Sequence, residues 1–208
     1  DTRTHGKTKG RSGSYSTNYQ NSGRELLTPE AVVYLEWAAN PHRKTAYDLI
    51  AVEKGGRLIN MDAQAPNRAF AEWARAFDPA AETVKPEFVF GQSRLDFCLA
   101  GREGLHLVEV KGVTLEDGGH ARFPDAPTER GVRHLHELMR AVKLGHRATA
   151  FFVVQMEDVT DFAPNDEIHP AFGAALRQAA AAGVQVAAYS CRVTPDSMTI
   201  HRPVPVIL

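Results

Sequence analysis

The chain is poor in cysteine. Only Cys98 and Cys191 occur in 208 residues, and no C-x-x-C or cysteine–histidine cluster has zinc spacing. This excludes a disulfide scaffold and a structural zinc site, and it favours a reducing, cytoplasmic setting. No run of eighteen apolar residues is present, so no helix is expected to span a membrane. The polar start has no apolar h-region, so a signal peptide is not expected there. A strong charge of either sign is also lacking. With 24 Lys and Arg against 25 Asp and Glu the net charge is −1, so any nucleic-acid contact must come from a local basic patch. What remains is an ordinary globular composition, long enough for one sizeable domain or a domain with a small appendage.

Residues 1–24 are rich in Gly, Ser and Thr, and carry Arg3, Lys7, Lys9, Arg11 and Arg24 against Asp1 alone. With few large apolar side chains the segment is not expected to fold by itself. It reads either as a basic arm on nucleic acid or as a fragment end. Short strand signals follow at 32–35, 47–52 and 58–59, with turns at Asn40-Pro41 and Gly55-Gly56, which implies a small β domain over about 25–62. Pro66-Asn67 opens a helix whose Phe70, Trp73, Ala74 and Phe77 share one face. Strands are expected at 87–99 and 105–115, then an irregular polar stretch, a helix over about 128–144 and a buried strand at 148–155. A helix at 170–182, a strand at 184–189 and an edge segment at 198–207 complete the chain. The order from residue 63 onward predicts a mixed α/β sheet flanked by helices.

One constellation carries chemistry. Asp96 ends Gly91-Gln92-Ser93-Arg94-Leu95-Asp96, and Glu109-Val110-Lys111 lies on the next predicted strand. Alternation along a strand sets Glu109 and Lys111 on one face. Two adjacent strands then gather Asp96, Glu109 and Lys111 at one edge of an apolar sheet. Two carboxylates holding a hard divalent cation, with a lysine beside them, suit hydrolysis of a phosphodiester. The competing reading is a Glu–Lys pair on a solvated strand face, worth little energetically. The apolar neighbours Leu105, Leu107, Val108, Val110 and Val113 weigh against it, because charges are costly to leave there without a partner.

The same residues fall within a wider pattern. Asn40-Pro41-His42-Arg43-Lys44, Ile59-Asn60 with Pro66-Asn67, Ser93 to Phe97, Val108 to Lys111, Phe123-Pro124-Asp125-Ala126, Arg130-Gly131 and His134-Leu135-x-Glu137-Leu138 together resemble the sugar fermentation stimulation protein A family. The resemblance spans roughly residues 26–190. It differs at Met61, where the family has Thr, and at Arg133, where Lys is usual. It implies a partial OB-like β domain ahead of a restriction-endonuclease-like domain of the PD-(D/E)xK type. It further implies DNA as partner, Mg2+ or Mn2+ as cofactor and a suspected nuclease role. A non-cleaving DNA-binding regulator of maltose metabolism genes is the alternative, and a homodimer is compatible with either. By position, Asp96, Glu109 and Lys111 become the catalytic triad, and Glu72 the additional metal-binding carboxylate on a helix.

Phosphate contacts are expected from Arg94, which alternates onto the Asp96 face, from Arg43 and Lys44 in their loop, and from Arg130, Arg133 and His134. For the helix residues the bland reading is a solvated face with an Arg133–Glu137 pair. Asp125 is expected to cap that helix. Trp37, Trp73 and Cys98 are assigned to the core, and His106, His120, His169 and His201 are given no ligand role.

Overall fold

The structure, a computed structural model, describes residues 6–9, 26–37 and 45–208. Strands β1 (Gly6–Lys9), β2 (Val32–Trp37), β3 (Tyr47–Lys54) and β4 (Arg57–Asn60) form a four-stranded antiparallel sheet in that order. Strand β1 lies inside the segment read as a basic tail and pairs with β2. Arg43, Lys44 and most of residues 1–24 lie outside the described residues. The Gly55-Gly56 turn between β3 and β4 has positive φ at both residues, as a two-residue hairpin of this hand requires.

Helix α1 (Ala65–Phe77) leads into a six-stranded sheet of order β13-β12-β10-β7-β6-β5. Its members are β5 (Ala81–Phe90), β6 (Ser93–Gly101), β7 (Gly104–Val113), β10 (Arg147–Val154), β12 (Gln185–Thr194) and β13 (Ser197–Val204). β7, β10 and β12 run parallel, while β5–β6–β7 and β12–β13 are antiparallel. Alternation divides the sheet into two apolar faces. Val108, Val110, Phe151 and Val153 meet α1, where Phe70 and Phe151 meet edge-to-face with ring centroids 4.8 Å apart. Leu107, Val113, Phe152 and Val154 face α2 (Glu129–Lys143) and α3 (Pro170–Ala181). Truncating the fully buried Phe151 to alanine would cost about 3–5 kcal/mol. Cys191 is sealed in the α1 side, where burial pushes its thiol up to about 12, so it is an inert packing group.

Several local expectations change. The single strand foreseen at 87–99 is two strands, β5 and β6, separated by a turn at Gly91-Gln92 with Gly91 at φ +59°. The stretch read as irregular is a hairpin of β8 (Leu115–Asp117) and β9 (His120–Phe123). Gly118 and Gly119 supply its two positive-φ positions, and β11 (Asp161–Pro164) adds alongside β9. Thr128, not Asp125, caps α2, its hydroxyl accepting the Gly131 amide at 3.0 Å. Trp37 is 63% exposed rather than in the core. Glu137 pairs with Arg140 across one turn at 3.6 Å rather than with Arg133.

The β domain is tied to the sheet by buried polar bonds. Gln155, just past β10, takes the Asn60 amide on its carbonyl at 2.9 Å and gives its side-chain amide to Asn60 O at 2.9 Å and Asn60 Oδ1 at 3.1 Å. Its side chain occupies the space above Gly112, where a Cβ would overlap Gln155 Oε1 and approach Pro66 Cγ to 2.7 Å. Arg57 and Lys54 of the β3–β4 hairpin bridge Glu116 of β8 at 2.8 and 3.3 Å.

At the opposite end of β7, His106 is buried between Asp78, at 2.9 Å from Nδ1, and Thr149, at 2.8 Å from Nε2; Arg147 meets Asp78 at 2.7 Å. Burial holds the His106 ring below its ordinary value. Burial alone would raise the Asp78 carboxyl, but the bonds from His106 and Arg147 outweigh it and hold it low. Both shifts make the unfolded chain bind more protons than the native one, so both remove stability on acidification. The His106 contribution fades as pH falls below about 6.5, and that of Asp78 only below about 3.9. We expect the melting temperature to drop between pH 6.5 and 5 in the parent and to stay flatter there in His106→Asn. Thermal melts across a pH series check this, and parallel curves would refute it.

Candidate active site

The site forms where β6 parts from β7. Their pairing ends at Phe97↔Val108. One residue earlier in β6, the Asp96 carboxylate accepts the Val110 amide through Oδ2 at 2.8 Å. A side chain thus supplies an acceptor just beyond the end of the backbone ladder. Asp96 Oδ1 accepts from the side-chain amide of Asn67 at 3.1 Å, at the start of α1. Across the gap, Glu109 and Lys111 point to the same face of β7, as alternation requires, and the Lys111 ammonium bonds Glu109 Oε1. The same oxygen takes a hydrogen bond from His134 Nδ1 on α2. The other oxygen, Oε2, is buried without any hydrogen-bond partner.

Electrostatics follow from this arrangement. Burial, then the nearby Glu109 charge, push the Asp96 carboxyl up against the opposing effects of Lys111, the Val110 amide and Asn67. Burial would raise Glu109 too, but the hydrogen bond from His134 and the charge and bond of Lys111 reverse the direction and hold it low. A buried carboxylate oxygen with no donor is costly, and a cation beside it would remove that cost. The donor set is all oxygen and carries two carboxylates, which suits a hard divalent cation. Among the described residues no cluster of three His, Cys, Asp or Glu side chains is arranged to hold an ion.

Asp96, Glu109 and Lys111 are therefore brought together. Glu72 is not joined to them: it is exposed on α1, and the α1 residue reaching the carboxylates is Asn67. His134 is not a surface contact either, because its ring is buried and bonded at both nitrogens, Nε2 accepting from Arg130 Nε at 3.3 Å. Arg130 and Arg133 are exposed on α2. Arg94 is exposed and lies 3.6 Å from Glu87 of β5 rather than on Asp96.

Comparison with known proteins follows the same division of the chain. Residues 8–61 match the SfsA N-terminal OB domain, and residues 64–197 match the sugar fermentation stimulation protein RE domain. The chain belongs to the sugar fermentation stimulation protein (SfsA) family. An SfsA homologue of Desulfitobacterium hafniense (strain Y51) is 51% identical over 182 residues, covering 86% of this chain and 80% of that one. A homologue from Clostridium acetobutylicum is 46% identical over 195 residues, covering 90% and 85%. The solved structure of Pyrococcus furiosus SfsA in complex with Ca2+ superposes with a TM-score of 0.80 at 28% identity, over 90% of this chain and 84% of that one. The architecture that the resemblance implied, an OB domain (there taken as partial) before a mixed α/β domain, is present. OB folds commonly bind oligonucleotides. No helix of the described residues is long and apolar enough to cross a membrane.

Sequence reasoning missed Asn67 as a site residue and misplaced His134. A signal existed for both: Asn67 follows the proline that opens α1, and His134 falls among the buried positions of α2 with Leu135 and Leu138. If Asp96 and Glu109 repel each other in the SfsA site, removing one charge should stabilise the protein without metal. Asp96→Asn is expected to raise the melting temperature in chelator, by about 2–4 °C per kcal/mol of repulsion relieved. Differential scanning calorimetry reads this directly, and an unchanged or lower value would contradict it.

Proposed function

We propose that this SfsA-family chain is a divalent-metal-dependent nuclease that hydrolyses phosphodiester bonds in DNA. The observation carrying the reading is the buried, donorless Glu109 Oε2 beside Asp96 and Lys111. Asp96 and Glu109 would hold a Mg2+ or Mn2+ ion with the Val110 carbonyl, and the ion would lower the pKa of a bound water and neutralise phosphate charge. The Ca2+ bound by the Pyrococcus furiosus relative supports a hard-cation site. Asn67 and the Val110 amide hold Asp96 in one orientation. Lys111, once free of Glu109, orients the attacking water or meets the charge that develops on the phosphate. Arg130 and Arg133, exposed on α2, would hold phosphate oxygens, as would the exposed Arg94 near the start of β6. The OB domain supports nucleic acid as the partner.

End-labelled single- and double-stranded DNA incubated with Mn2+ or with chelator tests the reading. Cleavage should require metal and vanish in Glu109→Gln. Lys111→Met should slow it by about 10²–10³-fold, the usual cost of one charge-stabilising donor, while DNA binding persists. Metal-independent cleavage, or equal cleavage by Glu109→Gln, would remove the nuclease assignment. DNA binding without any cleavage would leave the regulator reading in its place.

A further inference from the structure

Glu109 is held asymmetrically. Both of its donors, Lys111 and His134, act on Oε1, and Oε2 has none. The two donors differ in kind. Lys111 has a flexible stem and, in the proposed reaction, must leave Glu109 to reach water or phosphate. His134 is fixed on α2, buried to 5% exposure against a Glu109 side chain that is itself 4% exposed. If Lys111 left and nothing else held Oε1, the carboxylate could rotate and withdraw Oε2 from the cation.

The second ring nitrogen settles how His134 is held. Arg130 Nε reaches His134 Nε2 at 3.3 Å. An arginine N–H only donates, so the ring nitrogen it meets is the one without hydrogen. The hydrogen then sits on Nδ1 and is given to Glu109 Oε1. Arg130 is exposed one turn earlier on the same helix, so it can fix the tautomer of His134 while its terminal nitrogens remain open to solvent.

The geometry points to His134 as a positioning residue. With its tautomer set by Arg130, it locks Glu109 Oε1 so that Oε2 stays presented to the metal when Lys111 departs. This inference rests on the metal-dependent reading of the same site. It assigns His134 no contact with substrate and makes the Arg130–His134 pair part of the metal site.

The test uses the full chain and Mn2+ alone. Affinity is measured by calorimetry or by the electron paramagnetic resonance of free Mn2+. His134→Leu should weaken Mn2+ binding by about 10–100-fold, the usual cost of losing the group that orients a metal ligand. His134→Asn, whose side-chain amide offers a donor where Nδ1–H stood, should restore most of that loss. Nitrogen-15 spectra of labelled histidine should show the Nδ1–H tautomer for His134 in the parent and a mixture in Arg130→Leu. Equal Mn2+ affinity in parent and His134→Leu, or an Asn variant no better than Leu, overturns the inference and leaves the nuclease reading standing. An Nε2–H tautomer in the parent overturns it too, whether or not either variant folds. A parent protein that binds no Mn2+ overturns both.

Discussion

The structure turns on two neighbouring carboxylates, Glu109 buried and Asp96 half-buried, where one strand leaves another. Asp96 closes the end of the β6–β7 pairing by taking the Val110 amide, so its position is set by the sheet itself. Glu109 projects from β7, which pairs with β6 on one side and with β10 on the other, and its side chain is buried. Every neighbouring feature addresses that juxtaposition. The start of α1 brings Asn67 to Asp96, and α2 brings His134 to Glu109. Such an arrangement opposes folding, since burying like charges is costly. The apolar layers on both faces of the sheet have to supply the compensation.

The two ends of β7 show how differently the same ingredients can be used. At its start, Asp78, His106 and Thr149 form a buried chain of hydrogen bonds in which the invoked acceptors and donors are matched, with Arg147 balancing the charge. Near its end, one carboxylate oxygen is left unmatched. The first network fastens α1 to the sheet. The second leaves Glu109 Oε2 without a donor, and incompleteness of a buried polar group is a physical reason to look for a ligand there.

Much of this was legible in the residues. Alternation alone placed Glu109 and Lys111 together, and an apolar setting argued that the charges had a purpose. The helices were marked by Pro66, by Pro170 and by the Leu135–Leu138 stripe. What escaped were contacts between residues distant in sequence. Asn67 and Asp96 are 29 residues apart, and His134 and Glu109 are 25 apart, and no local period reports such a meeting. Glu72 came from the family resemblance by position, yet it is the start of α1 that reaches Asp96, and a neutral amide, Asn67, stands there. The Gly118-Gly119 hairpin carried its turn signal openly, but the flanking strands are only three and four residues long, too short for alternation to register.

The joint between the two domains has an evolutionary consequence. Gln155 fills the volume beside Gly112, one residue after Lys111, and Pro66 stands against the same spot, one residue before Asn67. A side chain at 112 has no room unless 155 shrinks or 66 withdraws. Sequence drift at this joint is therefore geared to the candidate site: positions 66, 112 and 155 are sterically coupled, and a lineage that redesigns how the β domain sits would have to rebuild the neighbourhood of Lys111 as well.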